Sequence, residues 1–186
     1  PQGSPATTEI LKYHFNEIIK EENLEGLIFP EYYKHPEYIK AVSEKIKEKK
    51  ASFDFIVFSY HGLPVKMEGA FEYKEKCIKT TEMVIEDLNF SKEKTITSFQ
   101  SRFGFGRWLK PSTLEILKDL SRKNFQKIAI MSPSFPLDCL ETLYDINIYF
   151  REYFRKISGK DLTYIDALNL SKGHIEFLKN FIVENL

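Results

Sequence analysis

The stretch Asp54-Phe55-Ile56-Val57-Phe58-Ser59-Tyr60-His61-Gly62-Leu63-Pro64 decides the fold. Its first part, Asp54 to Ser59, is a short apolar, β-branched and aromatic run, too brief for a helix and closed by a Gly-Leu-Pro turn, so it reads as a strand. Near-continuous hydrophobicity, rather than alternation, fits a strand covered on both faces by helices. A second such strand is Lys127 to Ser132, and weaker ones are Gly26 to Phe29, Lys94 to Ser98 and Leu162 to Ile165. Segments of helical period lie between them. Thr8 to Glu22 places Ile10, Leu11, Phe15, Ile18 and Ile19 on one side, and His35-Pro36 opens a helix with Ile39, Val42 and Ile46 inward. In that second helix Lys45, Lys47, Lys49 and Lys50 face mostly outward as a solvated surface. Glu72 to Leu88, a segment started by Pro111-Ser112-Thr113 with proline in its first turn, Asp138 to Ile157 and Ser171 to Leu186 complete the set. Strand and helix in alternation predict an α/β fold, a Rossmann-like parallel sheet flanked by helices.

Three of the strands end in serine and run into unusual loops: Ser59-Tyr60-His61, Ser98-Phe99-Gln100-Ser101-Arg102, and Ser132-Pro133-Ser134-Phe135-Pro136. In open α/β sheets a ligand crevice lies beyond the carboxyl ends of the strands, so these loops are expected to meet at one rim. The helix beginning near Asp138 follows the third loop and is expected to face the same crevice.

Composition excludes several functions. With 27 basic and 27 acidic residues the net charge is zero, and the chain lacks the clustered cations of a nucleic-acid binder. Eight glycines and no GxGxxG or GxxxxGK[ST] motif leave no phosphate cradle. No apolar run approaches the roughly 18 residues of a membrane span. Two cysteines, Cys77 and Cys139, make neither a four-ligand metal set nor a disulfide framework, and suggest a reducing compartment such as the cytoplasm. The chain begins Pro1-Gln2-Gly3-Ser4, without an initiator Met, which is expected of a processed chain or a piece of a longer one.

Few side chains can carry chemistry. His61 leaves a buried strand into a tight turn. An imidazole there can accept a proton or bind a metal near neutrality, or simply hydrogen-bond the backbone. His14, His35 and His174 have no partner motif and read as structural or surface residues. Glu141 and Asp145, spaced i,i+4 behind Asp138, share a helix face. They either complement the helix dipole or, opposite His61, form a set that takes up protons and a divalent cation. Cys77 and Cys139 read as buried small side chains. Trp108, in a loop with Phe103 and Phe105, suits either a wall for a flat ligand or a loop folded back on the sheet.

Four separated motifs then carry a resemblance. Ile56 to Pro64, Phe99 to Arg102 with Trp108-Leu109-Lys110-Pro111-Ser112-Thr113, Asp138-Cys139-Leu140-Glu141-Thr142-Leu143, and the start Pro1-Gln2 with Ala6-Thr7-Thr8 stand in the order found in ferrochelatase, which this chain strongly resembles. The resemblance implies insertion of ferrous iron into protoporphyrin IX to give protohaem, the last step of haem biosynthesis, with Fe2+ as substrate. It makes His61 the essential imidazole, as proton acceptor or metal-delivery ligand, and Glu141 its carboxylate counterpart, with Asp145 extending an acidic track. His61, Glu141 and Asp145 are thus the metal residues. Ser59, Tyr60, Gln100, Ser101, Arg102 and Trp108 are the expected porphyrin contacts. The family widens the helix after Asp138 into a π-turn.

Members have two similar α/β halves, and this chain resembles the second. Residues 1–30 are then a remnant of the first domain with its crossing helix, 31–168 the second domain with the catalytic pair, and 169–186 a terminal helix returning to the first. Such a piece alone is expected to be a poor catalyst. Tyr149 stands where the acidic track usually continues, and Glu68-Gly69-Ala70-Phe71-Glu72-Tyr73 departs from the usual Gly-Asp before a tyrosine. No cysteine-bearing extension follows Leu186, so no iron–sulfur cluster is expected. A coproporphyrin ferrochelatase and a cobalt chelatase are alternatives within the class, and a noncatalytic metal- or haem-binding module is one outside it. Peripheral membrane association is compatible with apolar substrates and products.

Overall fold

Strand β1 (Phe55–His61) lies at the centre of the molecule, with every residue from Phe55 to Tyr60 buried. In this computed structural model, which describes residues 1–49, 53–102, 104–123 and 125–186, four strands form one wholly parallel sheet. β2 (Thr95–Gln100) pairs with one edge of β1 and β3 (Ile128–Met131) with the other, and β4 (Leu162–Tyr164) follows β3. The order β2-β1-β3-β4 reverses direction between β1 and β3, which is where a doubly wound sheet opens its crevice.

The helices are α1 (Pro5–Glu21), α2 (Pro36–Lys47), α3 (Ala70–Asp87), α4 (Thr113–Ser121), a π-helix (Glu141–Phe150) running into α5 (Arg151–Ser158), and α6 (Lys172–Asn185). Alternation along β1 builds two cores. Ile56, Phe58 and Tyr60 pack under α2, α3 and α6, whereas Phe55 and Val57 pack under α4, the π-helix and α5. Ser59 and His61 continue the second series, so parity alone turns the imidazole toward the π-helix.

Several sequence expectations are corrected. β1 and β2 do not end at Ser59 and Ser98. Pairing of Ser59 with Ser98 and of His61 with Gln100 carries both strands two residues further, and both serines are buried within the sheet. Gly26 to Phe29 is not a strand. Gly26 lies so close to Phe15 and Ile19 of α1 that a β-carbon would sit 2.4 Å from the Phe15 ring, and the segment pairs with no strand among the described residues. Pro111 precedes α4 rather than occupying its first turn; Ser112 is the cap, its side chain and that of Glu115 closing a capping box. In α2, Lys45 reaches Asp166 at 2.7 Å instead of pointing freely outward, and Lys50 lies outside the described residues.

α1 is the anomaly. None of its residues is buried, and Ile10, Leu11, Tyr13 and Ile18 are all more than half exposed. Of its apolar side, Phe15 and Ile19 lie against Gly26 and are half-buried, while the rest stays open to solvent.

Candidate active site

The carboxyl ends of β1, β2 and β3 meet the start of the π-helix at one rim. His61, half-buried, lines a cavity of about 350 Å³ with Glu141, Tyr73, Ser134, Phe135 and the segment Pro1–Ser4. The Phe135 ring stands edge-on to the imidazole, with centroids 6.3 Å apart. Tyr38 fixes this wall from below by donating its hydroxyl to the Pro133 carbonyl at 2.6 Å. The structure therefore brings His61 and Glu141 to a common space. His14 is exposed on α1, His35 contacts Glu184 at 3.2 Å, and buried His174 contacts the Asn169 carbonyl at 2.7 Å, all away from the rim.

Asp145 lies in a separate cavity of about 230 Å³ with Ser101, Arg102, Tyr149 and Phe150. Burial pushes its carboxyl above the usual carboxylate range. The Ser101 hydroxyl, 3.4 Å away, opposes that shift; the charge of Glu141 adds to it and that of His61 reduces it. The three groups thus interact electrostatically, although among the described residues no three His, Cys, Asp or Glu side chains converge closely enough to hold a metal ion together.

Asp138 has a different task. Its carboxylate accepts from Asn169, Tyr164, Thr142 and the Ala167 amide, while its own amide donates to Asn169. Thr142 also accepts from the Cys139 amide, so this cluster closes the beginning of the π-helix. The i→i+5 winding that follows carries Glu141 and Asp145 on its first turn.

The expected porphyrin contacts divide. Trp108 is half-buried, with its backbone bridged to Pro64, and lines a basin of about 360 Å³ with Gly62, Val65, Phe71, Lys74 and Arg107. Arg102 is exposed between that basin and the Asp145 cavity; Phe105 is fully exposed and Phe103 lies outside the described residues. Ser101 has a positive φ of 59°, a strained conformation for serine. Ser59 and Tyr60 are corrected. Both are 0% exposed: Ser59 is spent on Gln100 and Thr113, and Tyr60 points to Thr81 on the opposite face, so neither side chain reaches the crevice. Gln100 is nearly as buried, and its amide is engaged at both ends. Sequence reading missed the part played by Tyr73 and Thr113. Tyr73 shares the buried face of α3 with Ala70, Cys77 and Thr80, a periodicity that could have flagged it. Thr113 gives no local signal beyond its place in the first turn of α4.

Among the described residues no helix is long and apolar enough to cross a membrane. The family model for ferrochelatase matches residues 1–186. The ferrochelatase of Haemophilus influenzae (strain PittEE) is 38% identical over 191 residues, covering 100% of this chain and 58% of the relative. That of Wigglesworthia glossinidia brevipalpis is 38% identical over 192 residues, covering 100% and 60%. That of Acinetobacter baumannii (strain ACICU) is 34% identical over 192 residues, covering 100% and 57%. The chain spans about three-fifths of the length of these curated relatives.

Proposed function

From the premise that this chain belongs to the ferrochelatase family, we propose that the full-length protein inserts ferrous iron into protoporphyrin IX to form protohaem, and that these residues supply its catalytic rim. One observation carries the proposal: His61 and Glu141 come from different elements yet line one cavity at the sheet's switch point. Insertion replaces two pyrrole N–H protons by one divalent cation, so the site must accept protons and lead a cation to the same macrocycle face. An imidazole and a carboxylate across one cavity do both. His61 serves as proton acceptor or as the last ligand of the incoming iron, and Glu141 is its anionic counterpart. Asp145, beside Glu141 on the π-helix, is the next acidic group outward.

Trp108, Ser101 and Arg102 are the proposed porphyrin contacts. An aromatic wall suits a flat apolar ring, and Arg102 suits an anionic substituent. Residues 1–30, with the bare apolar side of α1, are read as the join to a further α/β half; 31–168 form the domain bearing the pair, and 169–186 the closing helix. The work is assigned to the cytoplasm, with peripheral contact to a membrane favoured by the apolar macrocycle.

The test is anaerobic turnover of the full-length protein with ferrous iron, or with Zn2+ followed by loss of free-base fluorescence. His61→Ala is expected to lose activity by about 10²-fold or more, the scale of a lost acid–base group. Glu141→Gln is expected to be severely impaired with its fold intact. Near-normal turnover in His61→Ala would refute the assignment.

A further inference from the structure

The three strand-end serines do not line the crevice, and their placement beneath it has a direction. Gln100 Nε2 lies 3.2 Å from the Glu141 carbonyl, which can only accept, so the amide's nitrogen faces the π-helix and its oxygen faces the sheet. That oxygen, Oε1, can also only accept, so Ser59 Oγ, 2.6 Å away, donates to it. The single Ser59 proton is then used, and at the 2.8 Å contact with Thr113 the threonine must donate. By the same rule Ser98 donates to Thr113 at 3.0 Å. Ser132 completes the surround, donating to the Ser59 carbonyl at 2.5 Å. A one-way relay therefore runs Ser98, Thr113, Ser59, Gln100, Glu141. All four of the residues that precede Glu141 are at most 3% exposed.

Gln100 is also the strand partner of His61, and its carbonyl accepts from the Gly62 amide at 2.9 Å. Backbone on one side and side-chain amide on the other therefore tie the two catalytic groups to a single residue. The next residue, Ser101, reaches Asp145, four positions beyond Glu141, from a left-handed backbone. A π-helix is intrinsically uncommon and short-lived without support, and here the end of β2 grips it at two points.

We infer that Gln100 is a positioning residue: it sets the separation of His61 and Glu141 by holding the first turn of the π-helix against β1, with Ser98, Thr113 and Ser59 fixing its amide. The role deepens the catalytic assignment of His61 and Glu141 and presupposes it for turnover, although the tether itself is independent of it. Aligned hydroxyls strengthen one another in a buried setting, so the clamp is stiffer than a lone hydrogen bond. A misplacement of about 1 Å in a reacting pair is enough to cost about 10²-fold in rate.

Two variants of the full-length protein test this. Gln100→Glu keeps the shape and the acceptor but loses the donor to Glu141; Gln100→Met loses both. Each is expected to lower kcat about 10- to 100-fold while the porphyrin KM stays within about twofold. Hydrogen exchange in the same samples is expected to speed up across residues 141–146 and stay unchanged in β1, a readout that needs no turnover. If His61→Ala were active but exchange rose as expected, the catalytic reading would fail and the tether would stand. Unchanged exchange at 141–146 in both variants overturns the tether. So does a loss confined to porphyrin KM, which would make Gln100 a ligand contact. A variant that loses β1 protection has unfolded, and the other then decides.

Discussion

Tyr164 donates its hydroxyl to Asp138, turning the first acidic residue of the Asp138–Asp145 series away from the crevice. Burial alone would raise the Asp138 carboxyl, but donors from Asn169, Tyr164, Ala167 and Thr142 outweigh it and hold the group below the usual carboxylate range. A folded-state pKa below the unfolded value stabilises fully above ordinary carboxylate titration, and that contribution disappears as pH falls through the lowered value. We predict that Asp138→Ala destabilises the fold by about 2–3 kcal/mol at pH 7, since several half-buried donors lose their acceptor at once. Urea titration should show the deficit shrinking below about pH 4, near the unfolded carboxylate pKa.

Asp145 titrates in the opposite sense. Its carboxyl is raised chiefly by burial, so the folded state binds that proton more tightly than the unfolded chain does. The ionised group therefore costs stability above its folded pKa, and the cost vanishes below the unfolded value. Asp145→Asn is predicted to raise the melting temperature at pH 7 and to leave it unchanged near pH 3. The same change is predicted to weaken metal use, seen as a higher KM for iron or zinc in the full-length protein.

Gly62 follows His61 and passes the Gln100 carbonyl so closely that a β-carbon would lie 2.4 Å from that oxygen. The oxygen is the backbone of the last residue of β2, and the Gly62 amide just beyond β1 donates to it, so relieving the clash would pull at the end of the β1–β2 pairing. Gly62→Ala is predicted to cost about 1–3 kcal/mol by overpacking and to lower turnover at least tenfold. Chemical denaturation and steady-state kinetics on one preparation would check both.

The 186 residues alone are predicted to turn over far less than the full-length protein, because α1 leaves Ile10, Leu11, Tyr13 and Ile18 open to solvent. The isolated chain should bind a hydrophobic dye and self-associate at micromolar concentration. A double change, Ile10→Lys with Ile18→Lys, should suppress both without lowering the melting temperature of the remainder. Family-like turnover by the isolated chain would refute the prediction.

Much of the arrangement was legible because the strands of a parallel sheet announce themselves as unbroken apolar runs. Phe55 to Phe58 and Ile128 to Met131 could hardly be anything else. What failed depended on partners. Ser59 and Ser98 look like strand ends, since a polar residue after an apolar run usually is one, yet each is kept in the sheet by the other's backbone and satisfied by Thr113. Gly26 to Phe29 looks like a strand for the converse reason: its residues suit an extended conformation, but they pair with no strand among the described residues. Tyr60 was misplaced for want of parity. Counting by twos from Val57 would have put Ser59 and His61 together and sent Tyr60 to the other face. His61, Glu141, Asp145 and Trp108 all reach the rim cavities, whereas the burial of Gln100 needed the position of the Glu141 carbonyl, which no local pattern encodes.

The same counting by twos restricts how this chain could change over generations. In β1, losing or gaining one residue between Phe55 and Tyr60 would do more than alter a length. A deletion would bury the imidazole at the address beside Thr81, and an insertion would present the phenol to Glu141 in the imidazole's place. Single-residue insertions and deletions there should be lethal to activity even where every substitution is mild. Pro64 and Val65 are still tied to Trp108 and Arg107, but Lys66 to Gly69 carry no strand pairing and so escape that parity constraint.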